Sequence, residues 1–353
     1  MRAGTGRSAA PERGGGADLV GVLLLGACAG WALITAAGRE ARPEGVLLAV
    51  LAVAAGYALG RISGGLVPVA AATAAALAGL VLAYVSRDGV PGATVDPLPG
   101  HIGVSAALPA LAAGAACCGA WAARTAASRL ALRLLATGCA GTALALGSAA
   151  GCAASLGVLL CSLAAARMRH RALALAGLAA VAALVAVGSV AVAEDVLPDG
   201  LTVALEGQLT PERVLLWRDA VDLTEDNPLR GTGPDRFGGL SPTAQRSAPA
   251  AGKPHSALFQ QASEEGLVGA ALLVSTYGWV LYGLWRSPRA TEAVLTAGAS
   301  LTALAALACI GNALSFTPVT MGAGLLAGLA TARPADDGPL EREKNLDVVR
   351  TGG

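Results

Sequence analysis

Long apolar stretches, separated by short clusters of charged residues, make up most of this 353-residue chain. A helix needs about 20 apolar residues to cross the hydrocarbon core of a bilayer, so the repeated stretches predict membrane-spanning helices. The pattern predicts an all-α polytopic membrane protein with about ten transmembrane helices. The predicted spans are 19–37, 46–60, 66–85, 102–123, 130–146, 151–166, 172–193, 267–285, 294–313 and 316–332.

The apolar stretch 130–166 is too long for one crossing, because an α-helix rises only 1.5 Å per residue. We divide it at the sequence GSAAG, residues 147–151, where glycines permit a tight turn. A single helix here would reverse the side of every later segment. It would place the basic sequence RMRHR, residues 167–171, outside, against the tendency of basic residues to stay on the cytoplasmic side.

The distribution of basic residues predicts the orientation. With the N-terminus inside, sixteen of the 25 arginines and lysines fall in cytoplasmic segments. Both the N- and C-termini are therefore predicted to be cytoplasmic, with one large outer loop between spans seven and eight. The predicted domains are a disordered tail at 1–18, seven spans at 19–193, an extracytoplasmic loop carrying the candidate chemistry at 194–265, three spans at 266–332 and a disordered tail at 333–353.

Composition excludes several classes of partner. Charged residues make up 14% of the chain, whereas a soluble domain carries about 25%. Aromatic residues are only 3%, which argues against the base-stacking surfaces that bind nucleic acid. The seven cysteines all lie in predicted spans and give neither a disulfide framework nor metal-ligand spacing. We therefore expect no metal, no cofactor and no nucleic-acid partner, and a lipid bilayer as the surroundings.

Ionisable side chains gather in the outer loop, so chemistry is expected there and at the adjoining helix ends. Thr210 followed by Pro211 predicts the start of a helix that ends near 227–228. Arg213 and Trp217 lie one turn apart on the same face of that helix. An anion site is one interpretation of the loop arginines, and pairing with neighbouring Asp and Glu residues is the simpler alternative.

The sequence GTGPDRFGG, residues 231–239, follows the predicted helix. Gly231 and Gly233 supply flexible backbone whose amides can approach an anion, and Arg230 and Arg236 lie beside them. The strand and helix that flank a phosphate-binding loop are missing here. Turn formation is therefore an equally simple interpretation of the glycines.

The sequence GKPHSALFQQASEEGLVGA, residues 252–270, predicts a helix that starts at Pro254 and enters the membrane. His255 then lies in the first turn at the outer surface, where an imidazole titrates near pH 6.5. Such a group can act as a base or hydrogen-bond a diphosphate, and a structural role is the alternative. Glu264 and Glu265 are also compatible with a position at the boundary between membrane and water, without a role in the chemistry.

Three ordered elements of the outer loop together resemble the O-antigen ligase and O-antigen polymerase family. That family shares an Arg-x-x-x-Trp helix, a Pro-x-x-Gly-x-Gly turn and a helix start that combines His-Asn/Ser with Glu-x-Gly-x-x-Gly. The resemblance covers about 147–332 of this chain. The matching positions are Arg213, Trp217, Pro228, Gly231, Gly233, Phe237, His255, Ser256, Gln260, Glu264, Gly266 and Gly269.

The resemblance implies a glycosyltransferase that takes a glycan from a polyprenyl-diphosphate carrier. It would join that glycan to an acceptor glycan or lipid on the outer face of the cytoplasmic membrane, without a metal or nucleotide. It implies that His255 is the base on the acceptor hydroxyl or a ligand of the diphosphate. Glu264 would orient His255 or the acceptor. The residues implied to bind the diphosphate, which guanidinium groups bind bidentately, are Arg213, Arg236 and Arg230.

One family feature is replaced in this chain. Where members carry Ser-Arg-Gly at an outer helix end, the sequence GSAAG has Ala149. Either the loop arginines rebuild the anion site or the activity differs, and Arg87 and His101 are further candidates to compensate.

Two other classes of function stay open. A transporter or flippase of lipid-linked glycan is disfavoured by the lack of ionisable residues within the spans, and the last class is a non-catalytic membrane scaffold.

Overall fold

The computed structural model describes residues 15–86, 102–194, 210–246 and 252–333. Both predicted tails, Arg87 and His101 therefore lie outside the described residues, apart from a few positions next to α1 and α13. Every regular element in the four ranges is helical. The helices are α1 Gly15–Ala36, α2 Glu44–Leu66, α3 Pro68–Val85, α4 Ile102–Ala122, α5 Ala126–Ala145, α6 Ala149–Ala165, α7 Arg171–Ala193, α8 Pro211–Asp226, α9 Phe237–Leu240, α10 Pro242–Arg246, α11 Ala257–Arg286, α12 Thr291–Ile310, a 3-10 turn Ala313–Ser315 and α13 Thr317–Thr331.

Seven of the described helices are long and apolar enough to cross a membrane, namely α1, α2, α3, α4, α7, α11 and α12. Helices α6 and α13 are also apolar but shorter. Helix α5 carries Arg129 and Arg133 among its 20 residues. The protein is therefore helical and multi-pass, while the count of ten crossings and the cytoplasmic position of both termini stay predictions.

The predicted division of the stretch 130–166 into two helices is confirmed. Helix α5 ends at Ala145 and α6 begins at Ala149. Gly147 between them has a φ of 79°, a conformation that glycine adopts at little cost. The Ser148 hydroxyl then accepts a hydrogen bond from the Gly151 amide at 3.0 Å and so caps the new helix.

The segment 210–265 lies at the end of the bundle where α1 is joined to α2. The Arg42 amide donates to the Pro234 carbonyl at 3.0 Å, which links the α1–α2 connection to the loop after α8. On the same side the Ser315 hydroxyl lies 3.5 Å from the Gln260 side-chain oxygen. One end of the bundle therefore carries all the described parts of the predicted outer loop.

Arginines hold helix ends together at the opposite end of the bundle. Arg171 donates to the Ser287 carbonyl at 2.8 Å, and Arg289 donates to the Ala332 carbonyl at 2.9 Å and to the Gly64 carbonyl. The last carbonyls of a helix have no partner within that helix, so these guanidinium groups satisfy them. The basic residues counted for orientation thus also stabilise the fold.

Helix α4 is the centre of the bundle. Nearly all of its described side chains are buried, and it packs against α3, α5, α6, α12 and α13. Its sequence is rich in alanine and glycine, and such small side chains let helices approach closely where lipid offers no hydrophobic drive for association. This explains how a chain with few large core residues still forms a packed bundle.

Helices α2 and α13 make the closest backbone contact, through glycines on both. A Cβ atom at Gly60 would lie 2.2 Å from the Leu325 carbonyl oxygen, and one at Gly324 would lie 2.3 Å from the Val53 carbonyl oxygen. No side chain fits at these distances, so the glycines set the separation of the two helices.

We expect Gly60→Ala to destabilise the protein by about 1–3 kcal/mol, because the added methyl group forces two backbones apart. The melting midpoint of the purified protein in detergent measures this. Gly30→Ala on α1 is the matched control, since a Cβ atom at Gly30 has nothing within 4 Å. Equal midpoints for the two variants would contradict the proposed packing.

Candidate functional site

Helix α8 is anchored to the start of α11 by a buried tryptophan. As the sequence predicts, α8 starts at Pro211 after an extended Thr210, although the threonine side chain makes no capping hydrogen bond. Trp217 is fully buried and donates its indole N–H to the Pro254 carbonyl at 2.8 Å. Its ring lies 5.2 Å from the ring of Phe259, within the range of aromatic pairs.

The anchor brings Arg213 of α8 close enough to His255 for its charge to act on the imidazole. Arg213 lies one turn before Trp217, and its partial burial lowers the pKa of the guanidinium. The pKa of His255 is also lowered, first by burial and then by the positive charge of Arg213. The negative charge of Glu212 opposes this shift, and Lys253 adds a smaller lowering. The imidazole is therefore neutral at pH 7 and able to accept a proton.

The prediction that a helix begins at Pro254 is wrong. Helix α11 begins at Ala257, after an extended Ser256. His255 precedes the helix and has a φ of 52°, in the left-handed region that non-glycine residues rarely adopt. The Pro254 carbonyl is bound by Trp217 instead of entering helical hydrogen bonding, which is the physical reason for the later start. Strained backbone of this kind is common at functional sites.

Helix α11 is broken at Gly266, which has φ 73° and ψ −173°. The break removes the helical partners of the preceding carbonyls, and the loop after α8 replaces them. The Thr232 amide donates to the Ser263 carbonyl at 2.9 Å, and the Gly233 amide donates to the Glu264 carbonyl at 2.8 Å. The break is thus a docking point for the loop.

Two further hydrogen bonds hold the break from other directions. The Trp31 indole of α1 donates to the Glu265 carbonyl at 2.9 Å. Beyond the break, the Leu267 amide donates to the Pro228 carbonyl at 2.8 Å. Helix α1, the loop after α8 and α11 therefore meet at one place, and no carbonyl freed at residues 263–265 is left without a partner.

Gly231 and Gly233 allow the loop after α8 to lie close against the backbone of α11. Their φ angles are 57° and 107°, and a Cβ atom at Gly231 would lie 2.4 Å from the carbonyl carbon of Glu264. Their amides already donate within the protein, that of Gly231 to the Asn227 carbonyl at 2.9 Å and that of Gly233 to Glu264. Of the two sequence interpretations, this geometry favours turn formation over free amides that bind an anion.

The loop arginines Arg230 and Arg236 each donate a hydrogen bond to a backbone carbonyl. Arg39, which lies in the short α1–α2 connection and was not predicted as part of the site, does the same. Each guanidinium group has five N–H donors, so further donors stay available for a ligand. The bonds are Arg230 to Ile34 at 2.9 Å, Arg236 to Thr232 at 3.4 Å and Arg39 to Gly231 at 2.7 Å.

Glu264 and Glu265 are only 3% and 1% exposed, so their interpretation as simple markers of the water interface is wrong. The Gln260 side-chain amide donates to Glu264 Oε2 at 3.2 Å. The Asp235 backbone lies close enough to the Glu264 carboxyl group to interact with it, and Gln261 lies close to that of Glu265. Glu265 Oε1 is buried and has no partner among the described residues.

A largely apolar cavity of about 810 Å³ lies between α1, α2, α7, α11, α12 and α13. Along α2 its lining runs from Glu44 to Tyr57, which at 1.5 Å per residue is a depth of about 20 Å. Arg42 and Lys253 lie at the end nearest the 210–265 segment, and Glu264 and Glu265 form part of the wall. Ionisable groups thus lie where the cavity meets that segment.

The predicted site residues fall into two groups. Arg213 and His255 are coupled by charge, and Glu264 lies in the cavity wall. Arg213, His255, Arg230 and Arg236 are not part of the described lining of the cavity. Lys253 connects the groups, because it lines the cavity and its charge acts on both His255 and Glu264.

Sequence reasoning did not single out Arg42, Lys253 or Glu265 as site residues. Lys253 lies two residues before His255, and Glu265 directly follows Glu264. Their closeness in sequence to predicted site residues could therefore have pointed to both. Arg42 carried no such signal, because it lies more than 200 positions away in the chain. Only the fold places it beside the loop after α8.

Comparison with known families finds a match over this region. Residues 131–274 match the family described as O-Antigen ligase. The matched segment runs from α5 into α11 and contains Arg213, the loop after α8, His255 and the break at Gly266. No curated protein matches the chain. The apolar helices indicate a multi-pass membrane protein, and its segment 131–274 is similar to the O-antigen ligase family.

Proposed function

We propose that the protein is a metal-independent glycosyltransferase of the ligase or polymerase type. It transfers a glycan from a polyprenyl-diphosphate carrier to an acceptor glycan or lipid on the outer face of the cytoplasmic membrane. The observation that carries the proposal is the half-buried pair of Arg213 and His255, held to the start of α11 by Trp217. The family match over 131–274 supports the same reaction class.

His255 acts as the general base. Its neutral imidazole takes the proton of the acceptor hydroxyl while that oxygen forms a bond to the anomeric carbon of the donor sugar. The bond from this carbon to the carrier diphosphate breaks, and the diphosphate leaves with the electron pair. Attack from the side opposite the leaving group inverts the anomeric configuration. The lowered pKa of His255 keeps the base unprotonated before the donor binds.

Arg213 stabilises the negative charge that develops on the leaving diphosphate. A guanidinium group in a partly dry site interacts more strongly with such charge than it does in water. Its charge also lowers the basicity of His255 in the empty protein. A bound diphosphate offsets that positive charge, so the imidazole becomes a stronger base when the donor is present.

Three residues complete the proposed site. Arg236 and Arg230 extend the diphosphate site through the N–H groups that are not donated to backbone carbonyls. Glu264, whose carboxyl group accepts a hydrogen bond from Gln260, orients the acceptor.

A flippase of lipid-linked glycan is the second candidate function. The carboxyl groups of Glu264 and Glu265 favour it, because both are buried in the wall of an apolar cavity and buried ionisable residues of membrane proteins often mark a transport path. The two functions differ in where the lipid-linked precursor accumulates when the protein is lost. Accumulation on the outer leaflet supports the transferase, and accumulation confined to the inner leaflet supports the flippase.

We expect His255→Ala and Arg213→Ala each to lower the rate of glycan transfer by at least about 100-fold, the usual range for losing a general base or a charge-stabilising donor. Transfer from a lipid-linked donor to an acceptor glycan by the purified protein measures this. Arg246→Ala is the control, because Arg246 is exposed and bonds only within α10 and its flank in the described structure. Unchanged transfer in both variants, with normal melting midpoints, would overturn the proposal.

We expect the acid limb in the pH profile of kcat/KM, which reports the protein without bound donor, to have its midpoint below pH 6.5. The pKa of His255 is lowered in the folded protein, so kcat/KM falls to half of its plateau only at a pH below 6.5, as the imidazole protonates. Arg213→Gln removes the nearby positive charge, so the pKa of His255 moves upward toward 6.5.

Histidine modification by diethyl pyrocarbonate measures that pKa without relying on activity, because only the neutral imidazole reacts. The modification rate of His255 is followed by mass spectrometry as a function of pH. Arg246→Gln serves as the charge-matched control and leaves the inflection in place. A downward move of the inflection in Arg213→Gln contradicts the proposed coupling.

A further inference from the structure

The middle of the chain carries positive charge at one end of the bundle and no acidic residue to balance it. Residues 97–193 contain six arginines but neither Asp nor Glu. All six lie in the α4–α5 and α6–α7 connections or in the first two turns of the helices that follow, at the end of the bundle opposite the 210–265 segment. They are Arg124, Arg129, Arg133, Arg167, Arg169 and Arg171.

The two connections are neighbours in the fold. Near the end of α4, the Trp121 indole donates to the Ser162 hydroxyl of α6 at 2.9 Å. The Arg133 guanidinium lies over the ring of the same tryptophan, 5.6 Å from its centroid, as in a cation–π pair. Arg124 follows Trp121 by three residues, and Arg167 follows Ser162 by five. The arginines of both connections therefore share one part of the surface.

The arginines at this end differ in whether the fold uses them. Arg171 and Arg289 donate to helix carbonyls, as described above. Three other guanidinium groups are exposed and make no hydrogen bond or ion pair with any residue in the described ranges, namely those of Arg124, Arg167 and Arg169. Because these three cations contribute no such contact to the protein, they are available to an anion outside it.

Exposed apolar side chains adjoin the cations. Leu130 and Leu134 of α5 and Leu160 and Leu163 of α6 are all exposed, so in a bilayer they contact lipid. Leu130 lies one turn and a half after Arg124, and Leu163 lies one turn before Arg167. Positive charge at the end of two helices and hydrocarbon contacts along the same helices together match an amphiphile with an anionic head group.

We propose that the basic surface formed by Arg124, Arg167 and Arg169 binds an anionic phospholipid in the leaflet opposite the 210–265 segment. Its phosphate accepts hydrogen bonds from the guanidinium groups, and its acyl chains lie along the exposed leucines of α5 and α6. In the predicted orientation this leaflet is cytoplasmic, where anionic lipids attract basic residues next to membrane spans. The surface lies at the other end of the bundle from the proposed transfer site, so the inference does not depend on the proposed function.

Lipid binding by the purified full chain in detergent, followed by native mass spectrometry, tests the inference. The probes are phosphatidylglycerol and phosphatidylcholine. We expect the natural sequence to bind phosphatidylglycerol at least about tenfold more tightly, since each basic residue near an anionic lipid strengthens binding severalfold. Replacing Arg124, Arg167 and Arg169 together by Gln removes this preference, whereas replacing all three by Lys keeps most of it because the charge is retained.

Two controls separate the basic surface from folding and from general charge. The triple Gln variant keeps its melting midpoint in detergent, because the three guanidinium groups make no hydrogen bond or ion pair within the described structure. Arg167→Gln alone weakens phosphatidylglycerol binding about threefold. Arg246→Gln, which removes one exposed charge on the 210–265 segment, leaves it unchanged.

Three outcomes would overturn the inference. The first is unchanged phosphatidylglycerol affinity in the triple Gln variant with a normal melting midpoint. The second is an equal loss of affinity in Arg246→Gln and Arg167→Gln, because the lipid then responds only to net charge. The third is displacement of the lipid by inorganic phosphate but not by chloride of the same ionic strength, because the arginines then form a site for a free anion.

Discussion

The site depends on the break of α11 at Gly266. A continuous helix would satisfy the carbonyls of residues 263–265 internally, and the loop after α8 would then have nothing to bind. Because the break frees these carbonyls, the amides of Thr232 and Gly233 and the indole of Trp31 take them as partners. The interruption of helical hydrogen bonding at Gly266 is therefore what connects the polar segment 210–265 to the membrane bundle.

A second connection, between α8 and the start of α11, lies next to the break and positions the residues of the proposed chemistry. Trp217 binds the Pro254 carbonyl and packs on Phe259, which forces His255 out of the helix and beside Arg213. The motif that resembles the ligase family is therefore partly architectural. Its tryptophan and glycines build the two connections, while its arginine and histidine carry the charges. A single substitution in the motif can consequently act through folding or through chemistry.

Sequence reasoning succeeded where short-range physics decides the structure. Apolar length predicted the helices, glycine predicted the turn at 147–151, and Thr210 with Pro211 predicted the start of α8. It failed where a distant partner decides. The start at Pro254 was wrong because Trp217 takes that carbonyl, and the burial of Glu264 depends on a loop some 30 residues earlier in the chain.

The cavity was beyond sequence reasoning for the same reason. Its cations come from the α1–α2 connection and from the residue before Pro254, and neither position carries a local signal of a shared opening. Burial of carboxyl groups in its wall is likewise a property of packing and not of composition. Resemblance to a family identified the region of interest, but only the fold relates that region to α1, α2 and α13.

Helix α1 lies outside the matched segment 131–274 and is nonetheless tied to α11 at two depths. The Trp31 indole binds the Glu265 carbonyl at 2.9 Å, and the Trp279 indole binds the Ala17 carbonyl at 2.8 Å. The matched segment therefore depends on contacts with a helix outside it. Expressed without α1, that segment would leave the Glu265 carbonyl at the break without its indole donor, so the region recognised by comparison is smaller than the unit that has to fold together.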